Sequence, residues 1–112
     1  MTANEHLDII YDRLQDYETE GTPYGLKVIA ITHKDEIPMS DRFTGLKKLK
    51  ELVEKAKDMK VLALRIYFYG SPDKRSKQNG DPETIALDPS AFIPQRNEEK
   101  EDQQTIEQRQ TL

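Results

Sequence analysis

The residues from Val61 to Tyr69, VLALRIYFY, form the longest stretch of the chain that is both apolar and rich in β-forming side chains. On the two-residue period of a strand, Leu62, Leu64, Ile66 and Phe68 share one face, and Val61, Ala63, Arg65, Tyr67 and Tyr69 share the other. The first face is wholly apolar and is expected to lie under helices. The second carries a guanidinium between small residues and two phenols, so it can remain open. A strand of this kind needs a covering layer on one side only, and the uncovered side is where a function can sit.

The rest of the chain offers the missing layer. Thr2 to about Tyr17 reads as a helix: Thr2 and Glu5 have the spacing of a capping box, and Leu7, Ile10, Tyr11, Leu14 and Tyr17 recur at three- and four-residue steps. Gly21 and Pro23 are expected to end it. Tyr24 to Thr32 reads as an interior strand, apolar on both faces apart from Lys27. His33 to Pro38 reads as a loop. Ser40 to Met59 reads as a second helix, capped by Ser40 or Asp41, with Phe43, Leu46, Leu49, Leu52, Val53, Ala56 and Met59 on its apolar stripe. A strand, a helix and a strand in succession predict a βαβ unit with parallel strands and a right-handed crossover. Asn79-Gly80 predicts a hairpin from Val61–Tyr69 into a short strand at Thr84 to Asp88.

These elements predict an α+β two-layer sandwich in the order α-β-α-β-β followed by a polar C-terminal tail. Its sheet is expected to be three-stranded and mixed, with both helices on one face. Residues 1–94 are expected to form one compact domain, with Phe92 and Ile93 making a last core contact, and 95–112 a polar, acidic tail, disordered or a solvated helix.

Composition narrows the chemistry. The chain has no cysteine, which removes disulfides, thiolate metal sites and cysteine nucleophiles and fits a reducing compartment. The polar, acidic start is unlike a signal peptide, and no run reaches the roughly 20 apolar residues of a membrane span, so a soluble cytoplasmic protein without a membrane partner is expected. Walker, GxGxxG, HExxH, GxSxG, EF-hand and zinc-site spacings are all lacking. His33, Asp35 and Glu36 could be drawn as an acid–base or metal cluster, and Asp8, Asp12 and Asp16 as a line of cation ligands. Both are expected to be ordinary turn and surface residues, so no enzyme activity, cofactor or metal is expected.

The net charge of −4 hides a segregation into blocks of −5 (residues 1–26), +6 (27–80) and −5 (81–112). The basic middle can meet an anionic partner or pair with the acidic ends. Two uses of the open face follow. In the first, a protein partner or a second copy docks there on Tyr67 and Tyr69, with Arg65 as the polar anchor and the acidic tail wrapping the partner. In the second, Arg65, Tyr67 and Tyr69 join Lys27 and the hairpin cations Lys74, Arg75 and Lys77 as a nucleic-acid platform, with rings stacking on bases and cations following phosphates. The acidic isoelectric point, near 5.2, favours the first use.

Overall fold

The computed structural model describes residues 2–88. The expected tail at 95–112 and the expected core contact of Phe92 and Ile93 lie outside the described residues. The order is α1 (Ala3–Glu20), β1 (Gly25–Ile31), β2 (Glu36–Pro38), α2 (Leu46–Met59), β3 (Ala63–Tyr69) and β4 (Glu83–Ala86). The α+β class, with both helices against one side of an open sheet, is as the sequence predicts.

Helix α1 begins with the full capping box between Thr2 and Glu5 and ends at Gly21, whose φ of 74° gives the left-handed C-terminal turn. Its buried face is Leu7, Ile10 and Leu14. Helix α2 buries Leu46, Leu49, Val53 and Ala56. These side chains form one cluster with Leu26, Val28 and Ala30 of β1, Leu64, Ile66 and Phe68 of β3, and Ile85 of β4.

The sheet corrects the expected topology. It has four strands in the order β2-β1-β3-β4, and every neighbouring pair is antiparallel. The cause is the segment read as a loop. Thr32 Oγ1 accepts the amides of Lys34 and Asp35, closing a tight side-chain turn that reverses the chain. Residues 36–43 then run back along β1 as far as the Leu26–Phe43 bridge. Helix α2 therefore starts at the Leu26 end of the sheet and delivers the chain to the Ile31 end, where Leu62 N–H donates to the Ile31 carbonyl. From there β3 can only descend antiparallel to β1, with Ile31 opposite Ala63 and Gly25 opposite Tyr69.

The start of α2 is also later than the sequence suggests. Ser40 and Asp41 do not cap it, because residues 40–43 belong to the extended return strip. Gly45 sits at the N-cap with no side chain to offer. The cap comes from α1: Glu18 Oε2 accepts the Leu46 amide at 2.9 Å and a hydrogen bond from the Tyr24 hydroxyl. Tyr24, and then the Leu46 amide, hold the Glu18 carboxyl below its ordinary range, and burial with the Glu18 contact pushes the Tyr24 phenol up to about 12.

A second tie joins α1 to the sheet edge. Glu83 on β4 meets His6 at 2.7 Å and Arg13 at 3.1 Å. Burial would raise the Glu83 carboxyl, but the His6 hydrogen bond and the Arg13 charge outweigh it and hold the group low. Among the described residues no helix is long and apolar enough to cross a membrane.

Candidate binding face of the sheet

Cross-strand partners in an antiparallel sheet project to the same side, so the register fixes what the uncovered face presents. Starting at the Ile31 end, its rows are Glu36–Ile31–Ala63–Ala86, then Pro38–Ile29–Arg65–Thr84, then Lys27–Tyr67, and last Gly25–Tyr69. Character changes along this ladder. The first two rows are mainly aliphatic, with Ile29 and Ile31 half-buried and open to solvent, and the later rows are cationic and aromatic.

The expected division of Val61–Tyr69 holds within the strand. Leu64, Ile66 and Phe68 enter the core, while Ala63, Arg65, Tyr67 and Tyr69 face away from it. It fails at the N-terminal end: Val61 is buried in the core and Leu62 is not fully buried. Both residues precede the ladder, just after the left-handed Lys60 that ends α2 (φ 57°), so strand alternation does not yet apply to them.

The partner-binding residues expected from the sequence fall into three groups. Lys27, Arg65 and Tyr67 do share the open face. Arg65 is tethered there: its guanidinium meets the Glu36 carboxylate at 3.1 Å, and contacts with Tyr67 and then Glu36 hold it in its charged form. Tyr69 is different, because it is only 7% exposed. The Arg42 guanidinium sits over its ring, 3.8 Å from the centroid, and donates to the carbonyls of Asp73 (2.9 Å) and Ser76 (2.7 Å).

Lys74, Arg75 and Lys77 form the third group. They lie on the loop between β3 and β4, which is folded over the Tyr69 end of the sheet. Ser71 and Ser76 join through their hydroxyls, the Arg75 amide donates to Asp73 Oδ1, and Asn79 N–H donates to the Phe68 carbonyl. All three cations remain exposed, with Arg75 paired loosely to Asp73 at 3.5 Å. Lys27 and Lys74 converge with Asp41, Arg42 and Tyr69 on a pocket of about 260 Å³ at this end of the face.

Sequence reasoning missed Arg42, which organises that pocket. It stands in a stretch that reads as a helix start, and only its distance-spanning contacts reveal its role. Arg42→Ala should lower stability by about 2 kcal/mol, because it removes charge-assisted bonds to two carbonyls and the cover over Tyr69. Arg42→Lys should recover little of this, since an ammonium cannot lie flat on the ring while forking to two carbonyls. Denaturation midpoints and amide exchange at Ser76 and Asn79 measure both effects. Full rescue by lysine would mean that charge alone holds the loop.

The cluster drawn from His33, Asp35 and Glu36 is the β1–β2 turn and its exit, and Glu36 is engaged with Arg65. Asp8, Asp12 and Asp16 lie exposed along α1. Among the described residues no group of three metal-ligating side chains converges. The groove on the helical side, about 840 Å³ and lined by Lys47, Lys50, Glu51, Glu54, Lys55 and Asp58 among others, alternates in sign and selects no partner charge. Comparison of the chain with protein-family models, curated proteins and solved structures returns no match, so the functional reading rests on the geometry of the open face.

Proposed function

We propose that the chain is a non-enzymatic protein-binding module, acting in the cytoplasm, whose helix-free sheet face docks a partner protein. The observation that carries this reading is the face itself: an aliphatic patch of Ile29, Ile31 and Pro38 lies beside Tyr67, with Arg65 fixed in place by Glu36. An apolar centre with one amphipathic aromatic and a preorganised arginine is the composition of a protein-docking hot spot. The cations at the far end of the face favour a partner with acidic side chains. Absence of cysteine is in keeping with a reducing compartment.

A nucleic-acid platform is the alternative, and its aromatic half is weakened by the burial of Tyr69 under Arg42. Among the described residues, Tyr67 is the half-buried ring the open face has left for stacking, where single-strand binders use several. The exposed Lys74, Arg75 and Lys77 are what this alternative retains.

Affinity capture from nuclease-treated extract, using wild type, Tyr67→Ala and Lys47→Glu/Lys55→Glu, tests the proposal once the captured protein is purified and its affinity measured. Tyr67→Ala should weaken binding roughly 10- to 30-fold, the worth of an aromatic anchor. The helix-face variant should bind as wild type does. Salt-sensitive binding of a fluorescent single-stranded oligonucleotide, abolished by Lys74→Ser/Arg75→Ser/Lys77→Ser, would replace the protein partner with nucleic acid.

A further inference from the structure

We infer that the cleft between α1 and the bulge preceding β4 is a binding site for a small organic cation, an alkylated ammonium group.

The cleft originates in the strand register. Ile66 pairs with Glu83, so an unbroken ladder would bring Tyr69 opposite Gly80. The bridge is to Gln78 instead, and the Asn79 amide donates to the Phe68 carbonyl at 2.7 Å. Two extra residues must therefore bulge outward between Asn79 and Glu83. The C-terminal half of α1 and the segment leading into β1 line the other side of the gap, which has a volume of about 210 Å³.

Tyr17, Tyr24, Phe68 and Tyr69 all line this cleft. The chain has five tyrosines and three phenylalanines, so half of its aromatic rings gather at one small cavity. Ring faces attract cations, and one such contact is already made here, with the Arg13 guanidinium 5.3 Å from the Phe68 centroid. The Tyr17 and Tyr24 rings stand 5.9 Å apart at 44°, a corner that suits a rounded group better than a flat one.

Charge and size point the same way. The lining carries two carboxylates, Asp81 and Glu83, against the one guanidinium of Arg13. Arg13 pairs with Glu83 at 3.1 Å. That leaves Asp81, exposed on the bulge, with no ion pair or side-chain hydrogen bond among the described residues. Sites for whole drug-sized ligands begin at roughly 300 Å³, so this cavity fits a head group or the end of one side chain. A bare ammonium would give up strong hydration for a single carboxylate. A methylated one sheds water at little cost and lays its charged methyl groups against the rings.

NMR titration of the isotope-labelled full-length protein with choline, and with its uncharged isostere 3,3-dimethylbutan-1-ol, tests the site at constant ionic strength. Choline should give saturable shifts at the Asn79 and Asp81 amides and the Tyr17 and Tyr24 rings, and the isostere should bind at least about fivefold more weakly. Asp81→Asn and Tyr17→Leu should each weaken choline binding about three- to tenfold. Because Asp81 lies on the exposed bulge, its variant keeps the test readable even if Tyr17→Leu disturbs the fold. The amide of Nα-acetyl-trimethyllysine separates the sources of the group: binding tighter than choline, absent for the unmethylated lysine, identifies a methylated side chain, and weaker binding identifies a free amine.

The absence of a saturable choline shift, equal binding of the isostere, tighter binding of benzoate at the same residues, or unchanged choline affinity in Asp81→Asn would each overturn the inference. None of these results bears on docking at Tyr67, so the inference can fail while the proposed function stands.

Discussion

Phe68→Ala is expected to cost about 3 to 5 kcal/mol, a large share of the stability of a domain this size, whereas Tyr67→Ala should cost less than about 1.5 kcal/mol. The two residues are neighbours in one strand, and the difference comes entirely from the side to which they project. Phe68 packs in the core, with the Arg13 guanidinium 5.3 Å from its ring, and its removal leaves a void. Tyr67 lies half-buried on the open face, where truncation exposes little that was dry. Chemical denaturation of both variants measures the two costs. The reverse order would mean that the strand is inside out or covered on both sides.

Gly25→Ala should also be damaging, although it adds one methyl group and Gly25 is not among the positive-φ residues. A Cβ at this position would sit 2.2 Å from the Ser71 carbonyl oxygen, 2.6 Å from its carbon and 2.9 Å from the Pro72 nitrogen. Backbone atoms cannot swing aside as a side-chain tip can, so the loop must lift from the sheet. Overpacking of this kind costs about 1 to 3 kcal/mol. The displacement should also uncover Tyr69 and release the Arg42 bonds to Asp73 and Ser76, so chemical-shift changes should concentrate between Ser71 and Asn79. An unchanged midpoint with an unchanged loop would show that the loop does not rest on Gly25.

The parts of this fold that were legible in the sequence are those fixed by local chemistry. The Thr2–Glu5 capping box, the Gly21 stop and the division of β3 into a core face and an open face each depend on residues a few positions apart. The pairing of β1 with β3 was legible too, as the two most apolar strands. Their relative direction was not, because it depends on the short return strip from Glu36 to Phe43. That strip has no alternation and contains Pro38, so nothing in it marks a strand. It forms because β1 offers an open backbone edge beside it.

The candidate site divides in the same way. Lys27, Arg65 and Tyr67 share a face because strand periodicity requires it. Tyr69 was misjudged because period two says which side a residue faces and nothing about what folds over that side. Arg42, Gly25 and the loop from Gly70 to Asn79 close that end of the face through contacts between residues some 30 to 45 positions apart, and no pattern in the intervening sequence announces them.

The central claim, that the helix-free face is the docking surface, is tested most directly by mapping methyl resonances in the purified complex with the captured partner. Signals of Ile29 and Ile31 should shift or broaden on titration, while those of Leu49, Val53 and Ile85 under the helices stay in place. Perturbation confined to the Lys47–Asp58 side of α2, or to Lys74, Arg75 and Lys77 with Ile29 and Ile31 unmoved, would contradict it.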